Sequence, residues 1–226
     1  MRRLSPSSLA RLGICLALLA AGPAVAQVAP AAAQADFAGQ PASPEARSLA
    51  DWVVGTGDTR GLPFVIVDKI EARVFAFDAS GRLVGSVPAL LGLARGDDSV
   101  PGIGSRRLAD ITPELRITPA GRFEAGFGTN LAGQDILWLD YDGALSLHRV
   151  ATGNLAERRP QRLATASALD NRISYGCINV PAAFYDGVIK PLFTPADGIV
   201  YILPETRPFS ELFALGRAAG AGPSGE

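Results

Sequence analysis

The sequence predicts a mostly β domain, a sandwich or barrel of short strands with a few short helices. One observation is a series of short runs rich in Val, Ile and Phe, residue types that favour strands. Another is their regular spacing, with turns that contain Gly, Asp and Ser between them. The hydrophobic fraction is 48% of 226 residues, which suits one domain with a packed core and excludes a disordered chain.

Composition also excludes several functions. Lys and Arg number 21 against 22 Asp and Glu, so the chain lacks the basic surplus that nucleic-acid binding needs. Two cysteines and one histidine make neither a disulfide-dense scaffold nor a zinc site of soft ligands, which takes about four. The sequence has no Gly-rich phosphate loop between a strand and a helix. The composition therefore argues against a zinc site of soft ligands and gives nucleotide binding little support.

Residues 1–26 are predicted to be a secretory signal peptide. Three arginines open the segment, an apolar run covers Leu12–Ala21, and Ala24–Ala26 fits the small-x-small cleavage pattern before Gln27. The apolar run is about ten residues long, against roughly 20 needed to span a bilayer. We expect export to the periplasm or cell-wall space with no stable membrane span after cleavage; the alternative is an uncleaved anchor.

Cleavage leaves one cysteine, Cys177, and one histidine, His148, and changes the formal charge from −1 to −4. Residues 27–61 are predicted to be a flexible tether with one short helix, because residues 27–43 are rich in Ala, Pro and Gln. Ser43 followed by Pro is typical of a helix start, so the helix should run to about Val54.

The strands are predicted from residue 62 onward, where β-branched and aromatic residues alternate with turn residues. In chain order they are Phe64–Val67, Val74–Phe77, Leu83–Leu93, Arg122–Ala125, Ile136–Leu139, Leu145–Val150 and Ile199–Leu203. Pro181 opens a predicted helix to about Pro191, with Phe184, Val188 and Leu192 at helical spacing. Residues 207–226 are predicted to hold a short helix, Pro208–Leu215, and a disordered tail, Ala218–Glu226.

Cys177 follows a glycine and precedes the predicted helix start, where a helix N-terminus would favour a thiolate. His148 lies 29 residues upstream in a predicted strand, on the same face as Ser146 and Val150. Together they could form a thiol–imidazole pair for acyl transfer, with backbone N–H groups near Gly176 facing an oxyanion. The alternatives are a buried apolar cysteine and a half-buried structural histidine.

The segment Ser174-Tyr175-Gly176-Cys177-Ile178-Asn179 resembles the active-site signature of the L,D-transpeptidase catalytic domain family, Ser/Thr-His-Gly-Cys-hydrophobic-Asn/Arg. His148 matches that family's catalytic histidine, and residues 118–123, Thr-Pro-Ala-Gly-Arg-Phe, match its Thr-Pro-x-Gly-x-Phe segment, which we expect to shape the sheet near the cleft. Residues 64–81 and 198–202 resemble its opening hairpin and closing strand. The features follow the family's order.

The resemblance implies an L,D-transpeptidase-like catalytic domain at residues 62–206, a β-sandwich or barrel that acts on peptidoglycan stem peptides. Cys177 would be the nucleophile and His148 the general base and acid, and carbapenem-type β-lactams would be covalent inhibitors. The thioester would pass to an amine and give crosslinks or exchanged D-amino acids. The resemblance implies no metal and no organic cofactor. The further residues expected in substrate binding or at the oxyanion are Ser174, Tyr175, Gly176, Arg172 and Asn179.

Among the arginines, Arg172 is the candidate for a bidentate grip on a substrate carboxylate. The three more distant ones are interpreted as solvated surface, with a carboxylate-rich substrate path as the alternative: Arg106, Arg107 and Arg116.

Two features depart from the family pattern. Tyr175 stands where the family has a histidine, and it cannot be cationic at neutral pH. The interval between His148 and Ser174 is longer than usual, and residues 151–168 are interpreted as a loop or lid. Its arginines are Arg158, Arg159 and Arg162. Two other functions stay open: hydrolysis of the same stems by a carboxypeptidase or endopeptidase, and a non-catalytic peptidoglycan-binding module.

Overall fold

The computed structural model describes residues 33–213, so the predicted signal peptide and the tail at 218–226 lie outside the described residues. Within this range the helices are α1 (Pro44–Thr56), α2 (Arg159–Ala164), α3 (Ala182–Phe184), α4 (Lys190–Phe193) and α5 (Phe209–Leu212), with a π-helical turn, Tyr185–Ile189, between α3 and α4. Short 3₁₀ turns lie at Ile103–Ser105, Leu108–Asp110, Pro113–Leu115, Leu155–Glu157 and Ala168–Asn171. None of these helices is long and apolar enough to cross a membrane.

The strands are β1 (Phe64–Asp68), β2 (Arg73–Phe77), β3 (Leu83–Pro88), β4 (Leu91–Gly92), β5 (Gly121–Thr129), β6 (Asp135–Asp140), β7 (Leu145–Arg149), β8 (Arg172–Ser174), β9 (Ile178–Val180) and β10 (Gly198–Ile202). Eight of them form one sheet in the order β3-β2-β1-β10-β5-β6-β7-β9, and β4 pairs with β8 separately. Leu90 exchanges backbone hydrogen bonds of 2.8 and 2.9 Å with Asn179 on β9, so the sheet is nearly closed. The predicted mostly β class is confirmed.

Both faces of the central strands are covered. On β1, Val65 and Val67 belong to an apolar cluster that includes the helical segment after β9. Phe64 and Ile66 point to the other face, into a cluster that includes α1. The neighbouring strand β10 runs parallel to β1 and is buried throughout, as expected for a parallel pair covered on both sides.

The helix predicted from Pro181 begins at Ala182 and continues through α4. Of the three residues at helical spacing, Phe184 is buried, whereas Val188 and Leu192 are only partly buried. The buried positions beyond Phe184 are Tyr185, Ile189 and Phe193. The π-helical turn explains the difference, because its wider turn shifts the inward face by one residue.

The predicted flexible tether is packed in its described part, residues 33–61. Phe37 is buried between aromatic rings of the α1 cluster, and Leu83 N–H donates to the Asp36 carbonyl at 2.8 Å. The helix start is as predicted, with the Ser43 hydroxyl accepting from the Ala46 N–H at 3.1 Å. The composition of this segment predicted flexibility because Ala, Pro and Gln dominate it. The one aromatic residue that anchors it, Phe37, changes that composition very little.

Candidate active site

Cys177 and His148 meet at two adjacent parallel strands. In the pairing of β7 with β9, Leu147 lies beside Ile178 and His148 beside Asn179. Side chains alternate along a strand, so His148, Asn179 and Cys177 share one face. The thiol and the imidazole line the same cleft, and the Ser146 hydroxyl lies 3.4 Å from the sulfur. The structure thus brings together the two residues that the sequence proposed as a pair.

The orientation of the His148 ring determines which nitrogen can act as a base. Its Nδ1 lies 2.7 Å from the backbone carbonyl oxygen of Arg149. A carbonyl only accepts, so Nδ1 carries the proton and Nε2 keeps its lone pair. The backbone carbonyl of Arg149 is therefore the group that orients the imidazole.

The two groups shift each other's pKa in opposite directions. Burial alone would raise the pKa of the Cys177 thiol, but the hydrogen bond and charge of His148 outweigh it and lower that pKa below its ordinary value. Burial alone would lower the pKa of His148, but the interaction with the Cys177 thiolate outweighs it and raises that pKa. Each group therefore favours the charged form of the other, and the thiolate is the reactive form of a cysteine nucleophile.

A cleft of about 690 Å³ opens in front of the half-buried thiol and imidazole. Trp138 of β6 lines one wall, and Ala144 lines another. Ala144 has a left-handed backbone with φ of 50°, and its carbonyl oxygen lies 3.4 Å from the Cys177 sulfur. That carbonyl can accept only from the protonated thiol, so it competes with the imidazole for the thiol proton.

The loop before Cys177 is held by internal hydrogen bonds. The buried Ser174 hydroxyl donates to the Cys177 carbonyl at 2.7 Å and accepts from the Gly176 N–H at 3.1 Å. The buried Thr118 hydroxyl donates to the Gly176 carbonyl at 2.7 Å and accepts from the Gly92 N–H at 2.8 Å. The contact of Thr118 agrees with the expectation that residues 118–123 shape the sheet near the cleft.

Gly176 occupies a conformation that only glycine adopts readily. Its φ is 133°, and a Cβ there would lie 2.7 Å from the backbone oxygen of Ile117. Because its N–H already donates to Ser174, Gly176 is not a free oxyanion donor. The backbone N–H groups of Tyr175 and Cys177 are the remaining candidates from the expected set.

The ring of Tyr175 stacks against the positively charged side chain of Arg116. The guanidinium of Arg116 lies 4.0 Å from the centroid of the Tyr175 ring, a cation–π contact. Arg116 is half-buried, and its Nε donates to the Ile111 carbonyl at 3.2 Å. It is therefore not the solvated surface residue that the sequence suggested.

Arg172 does not face the cleft, which corrects its predicted role. Its side chain is 9% exposed and forms a two-pronged ion pair with Glu205 at 2.5 and 3.1 Å. It also donates to the backbone carbonyl of Lys69 at 2.7 Å. With its donors used inside the protein, this guanidinium is not free to bind a substrate carboxylate. The acidic partner lies 33 residues away, so the local sequence gave no sign of it.

Two further expectations change. Cys177 is followed by strand β9, and the next helix begins only at Ala182, so no helix N-terminus stabilises the thiolate. Asn179 is 1% exposed and lies behind the pair, with its amide nitrogen 3.3 Å from His148 Nε2 and 3.2 Å from the Cys177 carbonyl oxygen. It supports the pair and does not line the cleft.

Sequence reasoning missed Arg159 as a part of this site. The lid interpretation placed it on a loop, but its side chain is buried and donates to the Asn179 amide oxygen at 2.7 Å. Leu163 on the next turn of α2 is also buried, which is the one pattern that could have indicated an inward face. Among residues 33–213, no group of three or more His, Cys, Asp or Glu side chains is arranged to hold a metal ion.

The fold and the site define a mostly β domain with an activated thiol–imidazole pair. No family model and no curated protein matches the chain. Among solved structures it is similar to an L,D-transpeptidase from Xylanimonas cellulosilytica, with 17% identity over 63% of this chain and 60% of that one and a TM-score of 0.37. It is also similar to the helical cell shape determining protein Pgp2 from Campylobacter jejuni, with 17% identity, coverage of 69% and 55%, and a TM-score of 0.42.

A third similar structure is the catalytic domain of the E. faecium L,D-transpeptidase, with 19% identity, coverage of 63% of this chain and 98% of that one, and a TM-score of 0.32. The chain spans less than two thirds of the length of the first two structures. These matches concern the fold, and the chemistry of this chain rests on its own residues.

Proposed function

We propose that this chain is an exported cysteine acyltransferase of the L,D-transpeptidase type, which acts on peptidoglycan stem peptides in the periplasm or cell-wall space. The observation that carries the proposal is that the pairing of β7 with β9 brings the Cys177 thiol and the His148 imidazole to the wall of one open cleft. The resemblance of residues 174–179 to the family signature supports the substrate class, and the predicted signal peptide supports export.

In the first step Nε2 of His148 takes the proton of the Cys177 thiol. The Cys177 thiolate attacks the carbonyl between the L-centre of a diamino acid and a terminal D-alanine, and an oxyanion forms. Backbone N–H groups at Tyr175 and Cys177 would donate to it. The tetrahedral intermediate collapses as the C–N bond breaks, and the imidazolium of His148 gives its proton to the leaving D-alanine amine. An acceptor amine then attacks the thioester and loses its proton to His148, and the C–S bond breaks to restore the Cys177 thiolate.

Two alternative functions would use the same cleft. Water in place of the amine would make a carboxypeptidase or endopeptidase with the same two residues. A non-catalytic peptidoglycan-binding module is the second alternative, because Tyr175 departs from the family signature. The lowered pKa of Cys177 favours an enzyme over the binding module, since a module that only binds stems needs no activated thiol.

The first experiment is intact-protein mass spectrometry of the chain from Gln27 after incubation with a carbapenem. The thiolate attacks the β-lactam carbonyl, the ring C–N bond breaks and the ring nitrogen takes a proton, so the mass increases by one whole inhibitor. We expect this adduct on the native protein, slower formation in His148→Ala and none in Cys177→Ala. An unmodified native protein would contradict the proposed chemistry.

The second experiment separates transfer from hydrolysis. The protein is incubated with defined tetrapeptide stems and a D-amino acid or a second stem as the acceptor, and the products are separated by mass. New amide products support transfer. Shortened stems with free D-alanine and no new amide indicate the hydrolase, and unchanged stems together with measurable stem binding indicate the binding module.

A further inference from the structure

A buried arginine reaches the catalytic pair from behind. Arg159 of α2 is 9% exposed; its Nη1 donates to the Asn179 amide oxygen at 2.7 Å, and its Nε donates to the Glu157 carboxylate at 2.5 Å. An amide oxygen only accepts and an amide nitrogen only donates. The bond from Arg159 therefore determines which way the Asn179 side chain faces.

The orientation of the Asn179 amide affects whether Nε2 of His148 is protonated. As held, its nitrogen faces the Nε2 of His148 at 3.3 Å and the Cys177 carbonyl at 3.2 Å. A donor in that place favours an unprotonated Nε2, the form that takes the thiol proton. A reversed amide would present its oxygen to Nε2 and stabilise a proton there, so that Nε2 would be less available to take the proton of the thiol.

We propose that Arg159 is a positioning residue for the thiol–imidazole pair and acts through Asn179. Because Arg159 belongs to residues 151–168, the reactivity of Cys177 then depends on how this segment docks against the domain. This inference rests on the proposed function, whose reacting groups are the same two side chains, and it assigns a role to the segment that sequence analysis interpreted as a lid.

The charged groups around the pair are few among the described residues. From the segment behind it come Arg159 and its partner Glu157. From the cleft wall come Arg149 and Asp135, which pair with each other at 3.0 Å. The charge of Arg159 favours the thiolate and opposes the imidazolium, so its removal should raise the pKa of both catalytic groups.

The test is the pH profile of Cys177 alkylation by iodoacetamide, in which the thiolate displaces iodide and forms an S–C bond. In Arg159→Gln we expect a rate about tenfold lower near pH 6.5, the order of one charge-assisted hydrogen bond, and a profile moved to higher pH. Asn179→Ala should lose a similar factor, and the double variant should lose no more than the larger single loss.

Arg162→Gln is the matched control on the same helix. Arg162 donates to the carbonyls of Glu157 and Asp170 at 2.9 and 2.8 Å, so its loss removes an arginine from the same helix and leaves the bond between Arg159 and Asn179 in place. We expect its alkylation profile to match the wild type. If Arg162→Gln reproduces the change, or if folded Arg159→Gln keeps the wild-type rate and profile, the inference is wrong.

If Arg159→Gln does not fold, Arg159→Lys takes its place, because a single ammonium cannot reproduce the guanidinium fork. At least a threefold lower rate is expected, and an unchanged rate would overturn the inference. Iodoacetamide needs no peptidoglycan, so the two proposals fail separately. Lack of turnover of stems with the Arg159 effect intact would refute the proposed function alone.

Discussion

Thr118→Val removes one hydroxyl from a fully buried site while nearly preserving the shape of the side chain. The Gly92 N–H and the Gly176 carbonyl then lose their partner in a region closed to water. Each unsatisfied buried group costs about 1–3 kcal/mol, so the expected loss in the free energy of unfolding is about 2–6 kcal/mol. A typical domain has about 5–15 kcal/mol in total, so this loss is large.

Denaturant unfolding of the purified variant measures that loss, provided the slope of the transition is unchanged. Thr118→Ser is the control, since it keeps the hydroxyl and removes one methyl group worth about 1 kcal/mol. In the folded fraction, Cys177 should also react more slowly with iodoacetamide, because the loop that carries it loses an anchor. A Thr118→Val protein within about 0.5 kcal/mol of wild type, or Thr118→Ser as damaging as Thr118→Val, would refute the reasoning.

Two other predictions concern the same loop and the charges behind it. Gly176→Ala should cost about 1–3 kcal/mol from backbone strain, with more from the contact with the Ile117 oxygen, seen as a lower Tm; an unchanged Tm would contradict the backbone conformation. Burial alone would raise the pKa of Asp97, but hydrogen bonds from Lys69, Thr206 and backbone N–H groups outweigh it and hold that pKa well below its ordinary value. Because the unfolded carboxyl, with a pKa of about 3.9, binds protons more readily, this stabilisation is complete above about pH 5 and is lost as the pH falls. Unfolding free energies measured from pH 7 to 3 should decline, and a flat profile would count against it.

The fold was predictable from the sequence where a strand or a helix cap depends on a local pattern of neighbouring residues. The apolar runs of β1 and β10 fill both faces of a parallel pair, and continuous Val, Ile and Phe are typical of such strands. Ser43 and the following proline are sufficient for the start of α1. In contrast, β8 and β9 have three residues each, too few for an alternating pattern, so a helix was expected soon after Cys177.

The two reacting groups of the candidate site were predictable from the sequence, but their surroundings were not. The composition left one thiol and one imidazole in the predicted mature chain, and any acyl transfer had to use them. The partners of the arginines, however, depend on chain folding over long distances. Arg172 is near Cys177 in sequence but pairs with Glu205, whereas Arg159 is on a lid-like segment but reaches Asn179. The two arginines carry the same charge, and their positions in the sequence suggest the opposite roles, so only the packing shows which one reaches Asn179.

A cluster of buried charged side chains helps to hold the loop before Cys177 in place. Lys69, Asp97, Arg172 and Glu205 form a cluster with two positive and two negative side chains, nearly all of it closed to solvent. Lys69 also donates to the backbone carbonyl of Thr118 at 2.9 Å. Burying such ions gains little over apolar packing, although loss of one partner costs about 3–5 kcal/mol.

We therefore interpret this cluster as a device for position more than for stability. It fixes Thr118 by its backbone, and the hydroxyl of Thr118 fixes the Gly176 carbonyl one residue before Cys177. On the other side, Arg159 fixes Asn179 two residues after it. A thiolate that must meet a carbonyl within a few tenths of an ångström benefits from anchors on both sides, because misplacement by about 1 Å can cost about a hundredfold in rate.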